Sequence, residues 1–206
     1  VTDSTRPGKI VCVGRNYRAH AKELGNEVPA EPLIFLKPPS SVIRTGGTIL
    51  LPTVSAQIEY EGEIGVVIGT TLSRADEARA ERGIRGIVAL NDVTARDLQR
   101  SDGQWTRAKG FDTFCPIGSE VPAPADLHSL EVTTRVNGSV RQHASAGEMV
   151  FSIPMLLSYI TSIMTLEPGD VVATGTPAGV GRLDIGDVVE VQVAGSVVRN
   201  SVAASG

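Results

Sequence analysis

Between Glu59 and Gly69 the chain reads EYEGEIGVVIG, two residue sets interleaved with a period of two. Side chains of extended backbone alternate between faces, so Ile58, Tyr60, Ile64, Val66 and Ile68 share one face and form an apolar, core-like surface. The opposite face carries Glu59, Glu61 and Glu63, then Gly65, Val67 and Gly69, placing three carboxylates beside positions too small to crowd them. Like charges at this spacing repel. Compensation comes either from solvent on a wet strand face or from a cation. The apolar flanks favour a central strand, and a central strand rarely keeps a wet acidic face. A fourth acid, Asp92, ends the apolar run from Ile87 to Asn91 and can approach the same place. The donors are all hard oxygens without His or Cys beside them, which suits Mg²⁺ or Mn²⁺ better than zinc.

The remaining pattern is mostly short strands. Lys9 to Val13, Pro32 to Lys37 (a buried strand stopped by Pro38 and Pro39), Thr48 to Leu51, Ile58 to Ile68 and Ile84 to Val93 read as strands in the first half. Asn16 is expected to cap a helix over Tyr17 to Leu24 that Gly25 terminates, and Ser73 to cap a polar helix ending near Arg82. In the second half Asn137-Gly138 joins two strands as a hairpin, because both residues tolerate positive φ. Ser152 and Pro154 open an apolar helix reaching about Met164, and Val171 to Ala173, Val188 to Val193 and Val197 to Val198 are strands. Isolated helices among short strands indicate a β-rich α+β fold.

Composition narrows the function classes. The 206 residues, 41% hydrophobic, suit one domain spanning 1–206 with a sizeable core. A net charge of -4 without a Lys/Arg-rich block argues against nucleic acid as a partner. The apolar runs are far shorter than a bilayer needs, and no basic-then-apolar leader is visible, so a cytoplasmic location with no membrane partner is expected. Cys12 and Cys115 stand in no metal or redox spacing and read as small buried hydrophobes.

Two further groups carry chemical interest. Lys109 lies in a Gly- and aromatic-rich loop, SDGQWTRAKGFDTFCPIG, either in solvent or holding a carboxylate or an oxyanion beside a metal. His20 and Glu23 are three apart on the first helix and share a face. They form either a surface pair or, turned toward a metal, an imidazole oriented by a carboxylate as a general base.

The segments GRNYRAHAKELG, FLKPPSSVI, EGEIGVVIG, NDVTARDLQ, KGFDTFCPIG, FSIPMLLSYIT and TLEPGDVVATGTPAGVG, in that order, resemble the catalytic domain of the fumarylacetoacetate hydrolase family. The resemblance runs over roughly residues 8 to 195 and is nearest to the small acylpyruvase and oxaloacetate decarboxylase-like members. It implies a C-terminal-domain-like β-sandwich or roll with a few helices, residues 1–50 supplying N-terminal strands and a short lid helix, and 51–206 a metal-binding β core. It further implies Mg²⁺ or Mn²⁺ on Glu61, Glu63 and Asp92, a catalytic Lys109, substrate contacts from Arg96, Gln99 and Thr176, and a water-activating lid pair in His20 and Glu23. Glu59 falls outside the motif, as a residue behind the ligands or on the surface. Arg15 and Lys37 are either contacts for a distal carboxylate of the substrate or surface charges.

The activity this favours is hydrolysis of a carbon-carbon bond in 2,4-dioxo acids such as fumarylpyruvate or acetylpyruvate, giving pyruvate and a carboxylic acid. Decarboxylation of oxaloacetate or a related keto-diacid, or isomerisation of a 2-hydroxyhepta-2,4-diene-1,7-dioate-type compound, would use the same stabilised enolate. A binding or assembly module that keeps its cation but has lost turnover is the reading from a different class. The expected partners are a small keto acid and, as the resemblance suggests, a second copy in a homodimer.

Overall fold

Alternation within Gly62–Ile68 does what its sequence demands. Ile64, Val66 and Ile68 are fully buried against one core, while Val67 faces another. In the computed structural model, which describes residues 6–23, 25 and 27–206, this strand sits inside a five-stranded sheet. The sheet order is Leu33–Lys37, Ile10–Gly14, Val171–Ala173, Gly62–Ile68, Ile84–Asn91. Ile10–Gly14 and Val171–Ala173 run parallel; the other neighbours are antiparallel.

A second five-stranded sheet has the order Ser139–Ser145, Glu131–Val136, Val188–Val193, Ser196–Ala204, Thr48–Leu51. Its Asn137-Gly138 hairpin takes φ values of 52° and 81°, as a two-residue turn of this type requires. The two sheets enclose the main core, where Ile64, Val66 and Ile87 of the first meet Val132, Val191 and Val193 of the second. The helix Ile153–Ile163 closes it with Leu156, Leu157 and Ile160; Ser152 caps that helix by accepting from the Met155 amide. The other face of the first sheet packs Ile10, Cys12, Val67, Val88 and Leu90 with Cys115 and Ile117, so both cysteines are the buried hydrophobes expected. Burial pushes the Cys115 thiol up to about 12, which keeps it protonated. Among the described residues no helix is long and apolar enough to cross a membrane.

Several expectations need correcting. The run from Ile58 to Ile68 is not one strand. It breaks at Glu61 into Ile58–Tyr60, which belongs to a small three-stranded sheet with Gly181–Arg182 and Thr94–Ala95, and Gly62–Ile68. Leu33–Lys37 is an edge strand rather than a buried one, with Leu33 and Leu36 exposed and only Lys37 buried. The polar helix spans Glu77–Arg82 and is capped by Asp76, whose carboxylate accepts from the Arg79 amide, and not by Ser73. Asn16 does not spend its side chain on the first helix, Arg18–Glu23. Its Oδ1 accepts from the Phe151 amide at 2.8 Å, and its Nδ2 donates to the Thr174 and Phe151 carbonyls at 2.8 and 3.1 Å. Leu24, the expected last helical residue, lies outside the described residues; Gly25, at φ 68°, ends the turn as anticipated.

Gly62 shows how closely the sheets approach beside the acidic cluster. A Cβ there would stand 1.9 Å from Thr134 Oγ1 on the facing sheet. That hydroxyl is buried and has no hydrogen-bond partner among the described residues. Gly62→Ala is therefore expected to cost about 2–3 kcal/mol by overpacking, read by urea unfolding, and Thr134→Ala in the same chain to restore a substantial part. No recovery in the double variant would show that the strain lies in the backbone instead.

Candidate functional site

The break at Glu61 is what assembles the acidic cluster. The pairing of Gly62–Ile68 with Ile84–Asn91 sets Gly62 opposite Asn91, so the residues just beyond the pair, Glu61 and Asp92, emerge side by side. The Asp92 amide donates to the Glu61 carbonyl at 2.8 Å, and the Glu61 amide donates to Asn91 Oδ1 at 3.0 Å. Carboxylate oxygens of Glu61, Glu63 and Asp92 lie within 4.8 Å of one another, and all three side chains are buried. At that separation and an effective dielectric near 20, each pair repels by roughly 3–4 kcal/mol. Three such pairs would approach the whole stability of a domain, about 5–15 kcal/mol, so the neighbours must offset the charge.

Three cations do so. Lys109 Nζ sits 2.7 Å from both Glu61 Oε2 and Asp92 Oδ2. Lys37 Nζ reaches Asp92 Oδ1 at 2.6 Å and the Val93 carbonyl at 3.1 Å. Arg96 binds Glu59 Oε2 through Nε at 2.8 Å and Glu61 Oε1 through Nη2. Lys37 is thus a buried partner of Asp92, not a surface charge or a contact for a distal substrate carboxylate. Glu59 is likewise buried behind the cluster and holds Arg96, so it is no surface residue.

Four carboxylates (Glu59, Glu61, Glu63, Asp92) against three cations (Lys37, Arg96, Lys109) leave one negative charge over. With all four ionised it falls on Glu63, which accepts from the Gly175 amide at 2.7 Å and has no ion-pair partner among the described residues. Burial, then the negative charges of Asp92 and Glu61, raise its pKa well above the ordinary carboxylate range. Glu61 goes the other way: burial opposes its charge, but Lys109 and Arg96 outweigh burial and lower its pKa. Burial likewise disfavours the Lys109 ammonium, yet Asp92 and Glu61 overcome it and raise the pKa.

A cavity of about 370 Å³ opens over these groups. It is lined by Glu61, Glu63, Asp92, Lys109 and His20, and also by Arg96, Gln99 and Thr176, so the fold brings these sequence candidates to one place. Glu23 stands just outside. Its Oε2 is 3.4 Å from His20 Nδ1, a long contact, and its carboxylate accepts from the Gly179 amide at 3.1 and 3.2 Å. That contact pins the first helix to the TGTPAGVG loop. Phe35 lies under the Lys109 ammonium, 4.9 Å from ring centroid to Nζ.

Some contributors were not foreseen. Gln142, in a strand of the second sheet, accepts from the Gly62 amide at 2.9 Å and donates to Thr176 Oγ1 at 2.8 Å, locking together the two segments that carry Glu63 and Thr176. Nothing in its local sequence, SVRQHAS, distinguishes it. Asn91, just before Asp92 in NDVTARD, was the more findable of the two.

The donor set fits a divalent cation. Three buried carboxylate oxygens converge, every donor is a hard oxygen, and the carboxylates outnumber the cations beside them. Comparisons with known proteins agree. The chain is 48% identical over 193 residues to a mitochondrial oxaloacetate tautomerase of Arabidopsis thaliana, covering 91% of this chain and 86% of that protein. It superposes with a TM-score of 0.90 on 5-carboxymethyl-2-hydroxymuconate delta-isomerase from Mycobacterium smegmatis, at 43% identity, covering 98% of this chain and 80% of the other. A fumarylpyruvate hydrolase from Pseudomonas aeruginosa, solved in complex with Mn²⁺ and pyruvate, gives a TM-score of 0.88 at 32% identity over 97% of this chain and 91% of that one. Residues 9–203 match the profile of the Fumarylacetoacetate (FAA) hydrolase C-terminal family, and the chain is a member of that enzyme family.

Proposed function

We propose that this protein is a divalent-cation-dependent enzyme that moves a proton at C3 of a 2-oxo acid of the oxaloacetate type, interconverting its keto and enol forms. The observation that carries the reading is the single cavity shared by His20, Lys109 and the buried carboxylates. The similarity to a tautomerase and a delta-isomerase supports it, because both names denote a shift of a proton and a double bond.

Glu61, Glu63 and Asp92 would hold Mg²⁺ or Mn²⁺, which when bound supplies Lewis-acid stabilisation of negative charge on a chelating oxo acid. The remaining work belongs to side chains. Lys109 has three N–H donors; Glu61 and Asp92 take two, leaving one for the 2-oxo oxygen. His20 Nε2, the nitrogen away from Glu23, accepts the proton from C3. The electron pair of that C–H bond becomes the second bond between C2 and C3, the C2–O π pair moves onto the 2-oxo oxygen, and that oxygen takes the proton His20 carries, completing the enol and restoring the base. Glu23, steadied by the Gly179 amide, orients the imidazole. Gln99 and Thr176 contact the substrate, Arg96, bound to Glu59 and Glu61, lends positive charge to the same cavity, and the first helix shields the substrate from bulk water.

Hydrolysis of acylpyruvates is the second reading, favoured by the same His20–Glu23 pair, since the imidazole can instead take a proton from water as that water adds to C4. Decarboxylation of oxaloacetate needs no base, because loss of CO₂ itself delivers the electron pair to C3.

The central test follows enol absorbance in the near ultraviolet with oxaloacetate, acetylpyruvate and fumarylpyruvate, with and without EDTA. Metal-dependent enol–ketone exchange of oxaloacetate is expected, and turnover indifferent to EDTA would refute the assignment. Lys109→Met is expected to lower kcat by about 10²–10³-fold. His20→Ala should slow proton transfer and acylpyruvate hydrolysis by about 10²–10⁴-fold while leaving decarboxylation largely intact. Equal losses in all three reactions would remove His20 from the base role.

The raised pKa of Glu63 adds a prediction about binding itself. A proton competes with the cation for Glu63 more strongly than at an ordinary carboxylate, so affinity weakens as pH falls and binding releases protons wherever Glu63 has taken one up. Calorimetry of Mn²⁺ binding in two buffers of different ionisation enthalpy measures that release, and Glu63→Gln should abolish it along with most of the affinity.

A further inference from the structure

We propose that Arg15 recognises a second carboxylate on the substrate, so that the enzyme selects 2-oxo dicarboxylates over 2-oxo monocarboxylates. The inference rests on the cavity being the oxo-acid site described above. It begins from the cavity's basic residues, Arg15, Arg96, Arg100 and Lys109. Arg96 is committed to Glu59 and Glu61, and Lys109 to Glu61 and Asp92. Arg100 is exposed and donates from Nη2 to Gln57 Oε1 at 2.5 Å. Arg15 is half-buried on the cavity wall, and its guanidinium has no hydrogen-bond or ion-pair partner among the described residues.

The backbone holds it there at a cost. Arg15 has φ 59°, left-handed backbone that disfavours a long L side chain by about 1–2 kcal/mol. The residues on either side are fixed. A Cβ at Gly14 would stand 3.2 Å from the Trp105 ring, and Asn16 makes three buried hydrogen bonds to Phe151 and Thr174. The turn is thus locked in a strained conformation that presents an unpaired planar cation to a cavity. The partner a guanidinium lacks is an anion, and its fork matches a carboxylate in bidentate fashion.

That anion is none of the buried carboxylates, since Arg15 makes no ion pair with Glu61, Glu63 or Asp92, which line the same cavity. Those three carboxylates converge on one another, a setting that would take a cation and an oxo acid chelating it. A substrate with its 2-oxo carboxylate on the cation and a second carboxylate at Arg15 satisfies both, whereas a monocarboxylate leaves the guanidinium unpaired.

Calorimetry on the Mn²⁺-loaded protein with two ligands tests this. N-oxalylglycine and N-methyloxamate share an oxalyl head, and only the former carries a second carboxylate. Wild type is expected to bind N-oxalylglycine about 10- to 100-fold more tightly, the worth of a charged hydrogen-bonded contact. Arg15→Asn, a residue that tolerates left-handed backbone, should erase that preference without changing affinity for N-methyloxamate, whose binding also reports that the site is intact. A preference that survives in Arg15→Asn, or equal weakening of both ligands in a variant that unfolds at the wild-type temperature, overturns the proposal. If Arg15→Asn does not fold, Arg15→Lys carries the same test: the preference shrinks severalfold if the bidentate contact exists and is unchanged if it does not. Failure of the wild type to bind either ligand with Mn²⁺ present would instead sink the oxo-acid reading of the cavity, and this proposal with it.

Discussion

A negative charge left uncompensated at Glu63, in a site where four carboxylates meet three cations, governs the way this protein is built around its cavity. Burying a carboxylate is costly unless a partner answers it. Here the partners are arranged so that two acids are neutralised and the third is not. Glu61 is held charged by Lys109 and Arg96, Asp92 is gripped on both oxygens by Lys37 and Lys109, and Glu63 is left with a single backbone amide. Such a cluster suits a divalent cation, and Lys109, which steadies it, lines the same cavity.

The fold makes that arrangement possible by letting a strand break where two sheets diverge. Ile58–Tyr60 follows the small sheet and Gly62–Ile68 the large one; the interruption turns Glu61 toward Asp92 instead of leaving it in a ladder. Gly62 is needed at that junction because the second sheet comes within contact distance of its backbone, and Gln142 from that sheet ties the junction to Thr176. Packing between the sheets therefore helps determine where the carboxylates stand.

How much of this could be read from the sequence depended on the range of the interaction. The alternation after Glu61 and the Asn137-Gly138 turn are local, and both are found as anticipated. The convergence of Glu61, Glu63, Asp92, Lys109 and His20 was also legible, because ordered motifs along the chain carried it. Local reasoning erred where a distant partner intervened. Asn16 has the composition of a helix cap but is claimed by Phe151 and Thr174, more than a hundred residues away. Lys37 reads as a surface charge until the sheet places it beside Asp92, and the apolar Leu33–Lys37 run reads as buried although it occupies a sheet edge. The bland pattern around Gln142 carries no signal, since its importance comes wholly from what the other sheet brings to it.

The groups that could distinguish one reaction from another lie on a short helix and the loop it contacts. Enolisation, decarboxylation and carbon-carbon hydrolysis share the need to stabilise charge on a 2-oxo oxygen, and the buried cluster serves all three alike. What separates them is whether a base acts and on which proton, and the base we propose, His20, rides on a six-residue helix. A helix that short does not persist alone in water. It is held by the burial of Ala21 and His20 against the body of the protein and by the contact of Glu23 with the Gly179 amide. Gly179 itself must be glycine, with φ 98° and a would-be Cβ 2.2 Å from the Arg141 carbonyl. The charge-stabilising half of the site is thus set by the rigid sheets, while the proton-handling half is set by a few contacts at a loop. Changes confined to that loop can alter which reaction dominates without disturbing the carboxylates beneath.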